Sequence, residues 1–151
     1  MVADLPDLKL SYQRDRRLFS RTLQLVVEAS MSGPGPSDDA TLAMRTQKLR
    51  RRWELEWSGP DAEGRESVPD RFTRAGLVEG ARAMTNVREL VVSWSRARQT
   101  WRLRLLTLAG ALIGTAPGTG ITVPMEPEDV AGLLQILRAF KAAVTEGGPG
   151  S

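Results

Sequence analysis

Apolar and polar residues alternate near the start of the chain, with the period expected of a strand that buries one face. Leu8, Leu10 and Tyr12 alternate with polar residues, a basic tip follows at 14–17, and the alternation resumes over 19–27. The pattern predicts an antiparallel hairpin whose apolar residues share one face.

The same alternation predicts a second hairpin over residues 90–105. If Trp94 faces Trp101 across the turn, the aliphatic residues beside them align into one apolar stripe, because cross-strand partners lie on the same face. The opposite, polar face of this hairpin then carries Ser93, Ser95, Arg102 and Arg104.

The two hairpins are also alike in sequence, which suggests an internal repeat. Residues 8–19, LKLSYQRDRRLF, align with residues 90–101, LVVSWSRARQTW, and the two share a segment S-[Y/W]-x-R-x-R. A second pair follows in the same order, since residues 75–84 align with residues 131–140. Chance similarity between short amphipathic segments is the alternative explanation.

The elements of each half predict an α+β fold. We expect a tandem ββββα repeat, with units at about 8–84 and 87–145, in which two antiparallel sheets and two helices form one domain spanning 1–151. The helices are predicted at about 70–84 and 126–145, the second with acidic residues in its first turn, where they complement the helix dipole.

Other segments complete this prediction. A third strand is expected at 50–57, and a short fourth strand is expected to end at Val68–Pro69. Residues 41–51 could form a short helix before the third strand, which the pattern does not decide. Glycine, proline, serine and aspartate concentrate in a stretch that predicts a flexible insertion at 31–44. We expect residues 146–151 to form a disordered tail.

Basic residues are clustered, although the formal net charge is only +3. Of the 21 basic residues 18 are arginine, and they concentrate at 14–21, 45–52 and 88–104, while acidic residues collect at 61–66 and 126–129. Because arginine suits planar, bidentate contacts to phosphate, the clusters favour a nucleic-acid partner.

Composition disfavours catalysis. The chain has no cysteine and no histidine, which removes the commonest metal ligands, the thiol nucleophile and the commonest general base. The acids at 126–129 are explained by their place at a helix N-terminus. The segment GTAPGTG at 114–120 lacks the Lys–Ser/Thr that completes a P-loop and predicts a turn between strands. We therefore expect a non-enzymatic protein without cofactor or metal.

Residues 105–125 carry no charge and are long enough to cross a bilayer. The turn-forming segment 116–120 and several threonines interrupt the apolar run, so we expect two buried strands instead. The first residues lack the apolar region of a signal peptide. These patterns predict a cytoplasmic protein with no membrane contact.

Arginines on the predicted hairpins and the third strand are the candidate binding residues. Two pairs would grip phosphates from the hairpin tips, and the other four would line the sheet faces between them. The eight candidates are Arg14, Arg16, Arg50, Arg52, Arg96, Arg98, Arg102 and Arg104. We expect the hairpin aromatics to be core residues rather than platforms for stacking bases: Tyr12, Phe19, Trp94 and Trp101.

Two ββββα units with basic hairpins and duplicated S-[Y/W]-x-R-x-R segments resemble the PUR-repeat proteins and the related Whirly fold, from about residue 8 to residue 144. The resemblance implies non-catalytic, weakly sequence-selective binding of single-stranded DNA or RNA, with neighbouring copies forming larger assemblies. A homodimer is therefore a further candidate. The alternative is a protein-interaction or assembly module whose basic surface meets an acidic partner.

Overall fold

The computed structural model describes residues 7–17, 20–47, 52–60, 66–84, 87–116, 119–122 and 124–146. Within these ranges, the backbone alone is described at 15–17, 20–22, 45–47, 52–54, 108–113, 115–116, 119–122 and 146. The elements in chain order are β1 Asp7–Arg17, β2 Ser20–Ser32, β3 Ala40–Gln47, β4 Arg52–Ser58, α1 Val68–Ala75, α2 Leu77–Ala83, β5 Val87–Ser95, β6 Thr100–Ala116, β7 Thr119–Thr122 and α3 Pro127–Glu146. The predicted α+β class is confirmed.

The described strands form one antiparallel sheet in the order β1-β2-β6-β5-β3-β4, and β7 pairs with β6 off this path. The prediction of two sheets is wrong. Strands from the two halves of the chain interleave, because β2 pairs with β6 while β3 pairs with β5. Local alternation has the same period in either arrangement, so it carries no information on which strands become neighbours.

The predicted tandem repeat is not supported either. An equivalent first hairpin would place Tyr12 opposite Phe19, as Trp94 lies opposite Trp101. Instead β1 continues to Arg17, and Tyr12 lies opposite Leu25. Segments with the same alternation can therefore be similar in sequence without occupying equivalent places in the fold.

Two uncertain segments of the first half are settled by the backbone. Residues 40–47 form strand β3, so the short helix considered for residues 41–51 is absent from that part. Val68 and Pro69 begin α1 instead of ending a strand. The side chain of Ser67 accepts a hydrogen bond from the backbone N of Asp70, and proline in the first turn costs no helical hydrogen bond.

Gly76 divides the predicted helix of residues 70–84 into α1 and α2. Its φ of +105° is left-handed, and its N–H donates to the carbonyls of Phe72 and Thr73, closing α1. This geometry favours glycine, because a side chain is strained there. Helices α2 and α3 also come into close contact, at Gly80 and Gly132. A Cβ on Gly132 would lie 2.7 Å from the carbonyl oxygen of Gly80.

The three helices cover one face of the sheet, and the core lies between them. The ring centroid of Phe72 in α1 lies 5.7 Å from that of Trp101 and 6.4 Å from that of Phe140 in α3. All three side chains are fully buried. Within the described ranges, no helix packs on the opposite face, which we call the open face.

The uncharged stretch 105–125 contributes the end of β6 and all of β7, and Ala116 pairs with Thr119. The segment at 114–120 therefore joins two strands, as predicted. Among the described residues, none of the helices is long and apolar enough to span a membrane.

Candidate interaction surfaces

The β5–β6 hairpin has the register that the alternation predicts. Trp94 pairs with Trp101 and Leu90 pairs with Leu105, and all four side chains are buried. The expectation that both tryptophans are core residues is confirmed. Because side chains alternate across the sheet, Arg102 and Arg104 point to the open face and are exposed.

The loop between β2 and β3, residues 33–39, is fastened to this hairpin through its backbone. The indole N–H of Trp101 donates to the carbonyl of Pro34 at 2.9 Å, and that of Trp94 donates to the carbonyl of Pro36 at 3.0 Å. The predicted insertion 31–44 therefore divides into the end of β2, this fastened loop and the start of β3.

The turn of the hairpin, residues 96–99, carries two of the candidate arginines. Arg96 lies with its guanidinium 3.3 Å from a carboxylate oxygen of Asp38, and its backbone N donates to the carboxylate of Asp39 at 2.8 Å. Arg98 is exposed on the same turn. The fastened loop thus places two carboxylates against one of the arginines expected to grip phosphate.

The open face carries the next two candidates on the central strand β6. Arg102 lies 3.8 Å from the carboxylate of Glu28, and Arg104 donates to the side-chain oxygen of Gln13 at 2.5 Å. A shallow depression of about 150 Å³ lies beside Arg102, at the end of β1. It is lined by Asp7, Leu8, Lys9, Glu28, Ala29, Ser30 and Arg102.

Opposite charges are mixed on the open face wherever side chains are described. Strand registers place three basic and four acidic residues there. They are Lys9, Arg102, Arg104, Asp7, Glu28, Glu56 and Glu89. This mixture does not give the single-sign field that a phosphate backbone favours.

The first hairpin does not place its arginines where the sequence predicts them. Residues 14–17 lie within β1, so the predicted tip is wrong, and Arg17 still pairs with Ser20 of β2. Arg14 shares a face with Tyr12, on the helix side, whereas Arg102 and Arg104 lie on the open face. Arg16 and Arg52 lie in β1 and β4, and Arg50 lies outside the described residues.

The eight candidates therefore do not form one site. The β5–β6 turn lies beyond the pair Ser32–Thr100, whereas Arg14 is level with Leu23. The two positions are separated by nine residues of strand, or roughly 30 Å at about 3.3 Å per residue. The structure brings Arg102 and Arg104 together, and it leaves Arg14 and the pair Arg96 and Arg98 near opposite ends of the sheet.

A surface that the sequence analysis missed lies on edge strand β1. Leu8, Leu10 and Tyr12, which we call the β1 stripe, are 45%, 59% and 55% exposed. They face the helix side, because Leu10 pairs with Val27 and Tyr12 with Leu25, whose side chains belong to the core. The prediction that Tyr12 is a core residue is wrong, since β1 extends beyond the area that the helices cover.

The other aromatic residues are placed differently. Trp57 is half-buried and packs against the core. Phe19 lies outside the described residues, and the side chain of Trp53 is not described. No local signal distinguishes the β1 stripe from a buried one, because its alternation matches that of β5.

The acids at 126–129 serve the start of α3, as expected. The carboxylate of Asp129, in the first turn, accepts a hydrogen bond from the backbone N of Glu126 at 3.0 Å, as in a capping box. Across the ranges that the structure describes, acidic side chains form no cluster that could hold a metal ion.

Comparisons with protein-family models, curated proteins and solved structures gave no match.

Proposed function

We propose that this chain is a non-enzymatic protein-interaction module whose contact element is edge strand β1. The observation that carries the proposal is the β1 stripe. An alternation that is buried in β5 and β6 is more than two-fifths exposed in β1, at each of its three apolar positions. Edge strands present unpaired backbone groups and are normally protected. Strand addition by another chain uses such an edge, with alternate side chains giving specificity.

The charges support a protein partner over a phosphate backbone. Arg96 and Arg102 already lie beside carboxylates, and the described open face carries four acids against three bases. A polyanion would have to separate these pairs and approach the acids as well. A protein surface of mixed charge meets no such penalty.

Site-directed photo-crosslinking in cells tests the proposal. A photoreactive amino acid replaces Leu10, and a control carries it at Arg138, which is exposed on α3. We expect a covalent polypeptide adduct from position 10 and little or none from position 138. Absence of any adduct at position 10, or equal yields at both positions, would reject β1 as the contact element.

Binding of single-stranded DNA or RNA is the second candidate. It is favoured by one observation: Arg102 and Arg104 are exposed side by side on the one sheet face that the helices leave open. Stacking and phosphate contacts across an open sheet are a common way of holding single strands.

Fluorescence anisotropy of labelled oligonucleotides at about 50 and 200 mM salt tests this candidate. We expect binding, if it occurs, to weaken steeply with salt and to fall in the double variant Arg102→Ala/Arg104→Ala. The matched control is Arg82→Ala, which removes an exposed charge from α2. An absence of binding at the lower salt concentration would exclude nucleic acid as a ligand.

A further inference from the structure

We infer that the protein bound at β1 is a second copy of this chain, paired β1 to β1 in the antiparallel sense. This inference rests on the proposed function, because it names the occupant of the same edge. It is carried by the order of charged residues along β1, which makes the strand complementary to itself.

Geometry limits the registers that such a pair can adopt. Two identical antiparallel strands side by side are related by a two-fold axis perpendicular to the sheet, so both helix layers lie on the same side. Residues directly opposite each other must share a face. The axis therefore passes through a residue position, and each register is defined by the residue at its centre.

The register centred on Tyr12 is favoured by both length and charge. Tyr12 is the midpoint of Asp7–Arg17, so every residue of β1 finds a partner. Asp7 then falls opposite Arg17 of the second copy, and Lys9 falls opposite Asp15. By symmetry each pairing occurs twice, and opposite charges placed directly across strands are stabilising.

Neighbouring registers are disfavoured by the same sequence. Centring on Ser11 places Asp7 opposite Asp15, and centring on Gln13 places Lys9 opposite Arg17. Like charges directly opposite each other are destabilising. Centring on Leu10 creates no opposite-charge pair and leaves the last residues of β1 without a partner.

The Tyr12-centred register also covers the β1 stripe. Leu10 falls opposite Arg14 of the second copy, whose exposed aliphatic stem can lie along the leucine. The two Tyr12 side chains meet at the axis. The result is one sheet running through both copies, with the two open faces on the same side.

The opposite edge, β4, is the competing site on the same sheet. Its described side chains include Leu55, which is 38% exposed, and Glu56. Pairing β1 with β4 would be head-to-tail, so it would give an open filament or a ring of copies, whereas the β1 pair closes after two copies. The number of copies in the assembly therefore distinguishes β1–β1 pairing from β1–β4 pairing.

Engineered cysteines test the register, and they are clean probes because the chain has no cysteine of its own. Directly opposite antiparallel residues have Cα atoms about 4.5–5.5 Å apart, within the range that a disulfide bridges. We expect Tyr12→Cys to give a covalent dimer on mild oxidation. Leu10→Cys alone should not, since its two copies would lie four positions apart, roughly 13 Å.

A mixture of Leu10→Cys and Arg14→Cys supplies the decisive cross-check. Each protein alone should stay uncrosslinked, and the mixture should give a covalent heterodimer, because positions 10 and 14 face each other across the axis. Circular dichroism of each variant shows that it is folded, and all three positions are exposed in the single chain. Crosslinking of Leu10→Cys by itself would overturn the register.

Light scattering of the unmodified protein from about 1 to 100 µM tests the assembly itself. A dimer mass that dissociates on dilution supports the inference. A monomer throughout, or species that grow without limit, overturns it. If the photo-crosslinked adduct at position 10 contains a different polypeptide, the proposed function stands and this inference falls. If no polypeptide is crosslinked there, both fall.

Discussion

The two hairpins β1–β2 and β5–β6 start from nearly the same pattern and end in different environments. Trp94 is 2% exposed and Trp101 is 0% exposed, whereas Tyr12, which the sequence alignment pairs with Trp94, is 55% exposed. β5 and β6 have a neighbour on both sides, and β1 has one. The difference lies in the position of each hairpin in the sheet.

This contrast separates what alternation dictates from what topology dictates. Alternation decides which residues share a face. Burial of that face depends on whether helices and neighbouring strands reach it, and the helices stop short of β1. An apolar stripe on an edge strand is therefore available for contact with another molecule.

The largest expected effect comes from truncating an apolar side chain in each hairpin. Trp101→Ala removes a side chain that packs on Phe72 and donates a hydrogen bond to Pro34, so we expect the free energy of unfolding to fall by about 3–5 kcal/mol. Leu10→Ala should change it by less than about 0.5 kcal/mol, measured by denaturant unfolding at low protein concentration. Equal losses would show that β1 is buried after all.

The next effect concerns the fastened loop, which covers β5–β6 and has no counterpart on β1–β2 in the described structure. A Cβ on Gly35 would lie 2.4 Å from the ring of Trp94. Gly35→Ala should therefore displace the loop and lower the free energy of unfolding by about 1–3 kcal/mol. The control is Ser37→Ala, which changes an exposed residue of the same loop. Similar free energies of unfolding for the two variants would contradict close packing of Gly35 against the Trp94 ring.

A smaller difference is expected between the two carboxylates at the β5–β6 turn. Asp39 accepts a hydrogen bond from the backbone N of Arg96, whereas Asp38 makes an exposed ion pair with its guanidinium. Asp39→Ala should cost about 1 kcal/mol and Asp38→Ala less than about 0.5 kcal/mol. Thermal unfolding of both variants measures this, and the reverse order would show that the ion pair holds the turn.

The smallest effect lies outside both hairpins, at the start of α1. A side-chain hydrogen bond from Arg74 lowers the pKa of Glu66 below its ordinary value of 4.5. Because the folded-state pKa is depressed, this contribution to stability is present above pH 4.5 and is lost as the pH falls through the folded-state pKa.

Titration of the Glu66 carboxyl carbon by NMR measures that shift. In Arg74→Gln we expect the pKa to return toward 4.5, with both hairpins unaffected. An unchanged pKa in the variant would assign the shift to other groups.

Parts of this fold could be predicted from local sequence. The β5–β6 register follows from alternation on both strands, and α3 was expected at about 126–145 and is observed at Pro127–Glu146. The start of α1 was missed although its signals are present, namely Ser67 at the N-cap and Pro69 in the first turn.

The sheet order could not be predicted in this way. Pairing of β2 with β6 joins residues far apart in the chain, and the sequence of neither strand identifies its partner. The candidate arginines were chosen on the assumption that two hairpin tips converge, and the order of strands places those tips at opposite ends. For the same reason the β1 stripe, which depends on β1 being an edge, was not found.

The central place of β6 has a consequence for how the chain is made. β2 is complete at Ser32, but the strand that flanks it inside the sheet begins only at Thr100. At synthesis rates of about 5–20 residues per second, the first hairpin leaves the ribosome roughly 3 to 14 s before its inner neighbour exists. During that interval β2 lacks its inner neighbour, so both edges of the hairpin are open to non-native strand pairing.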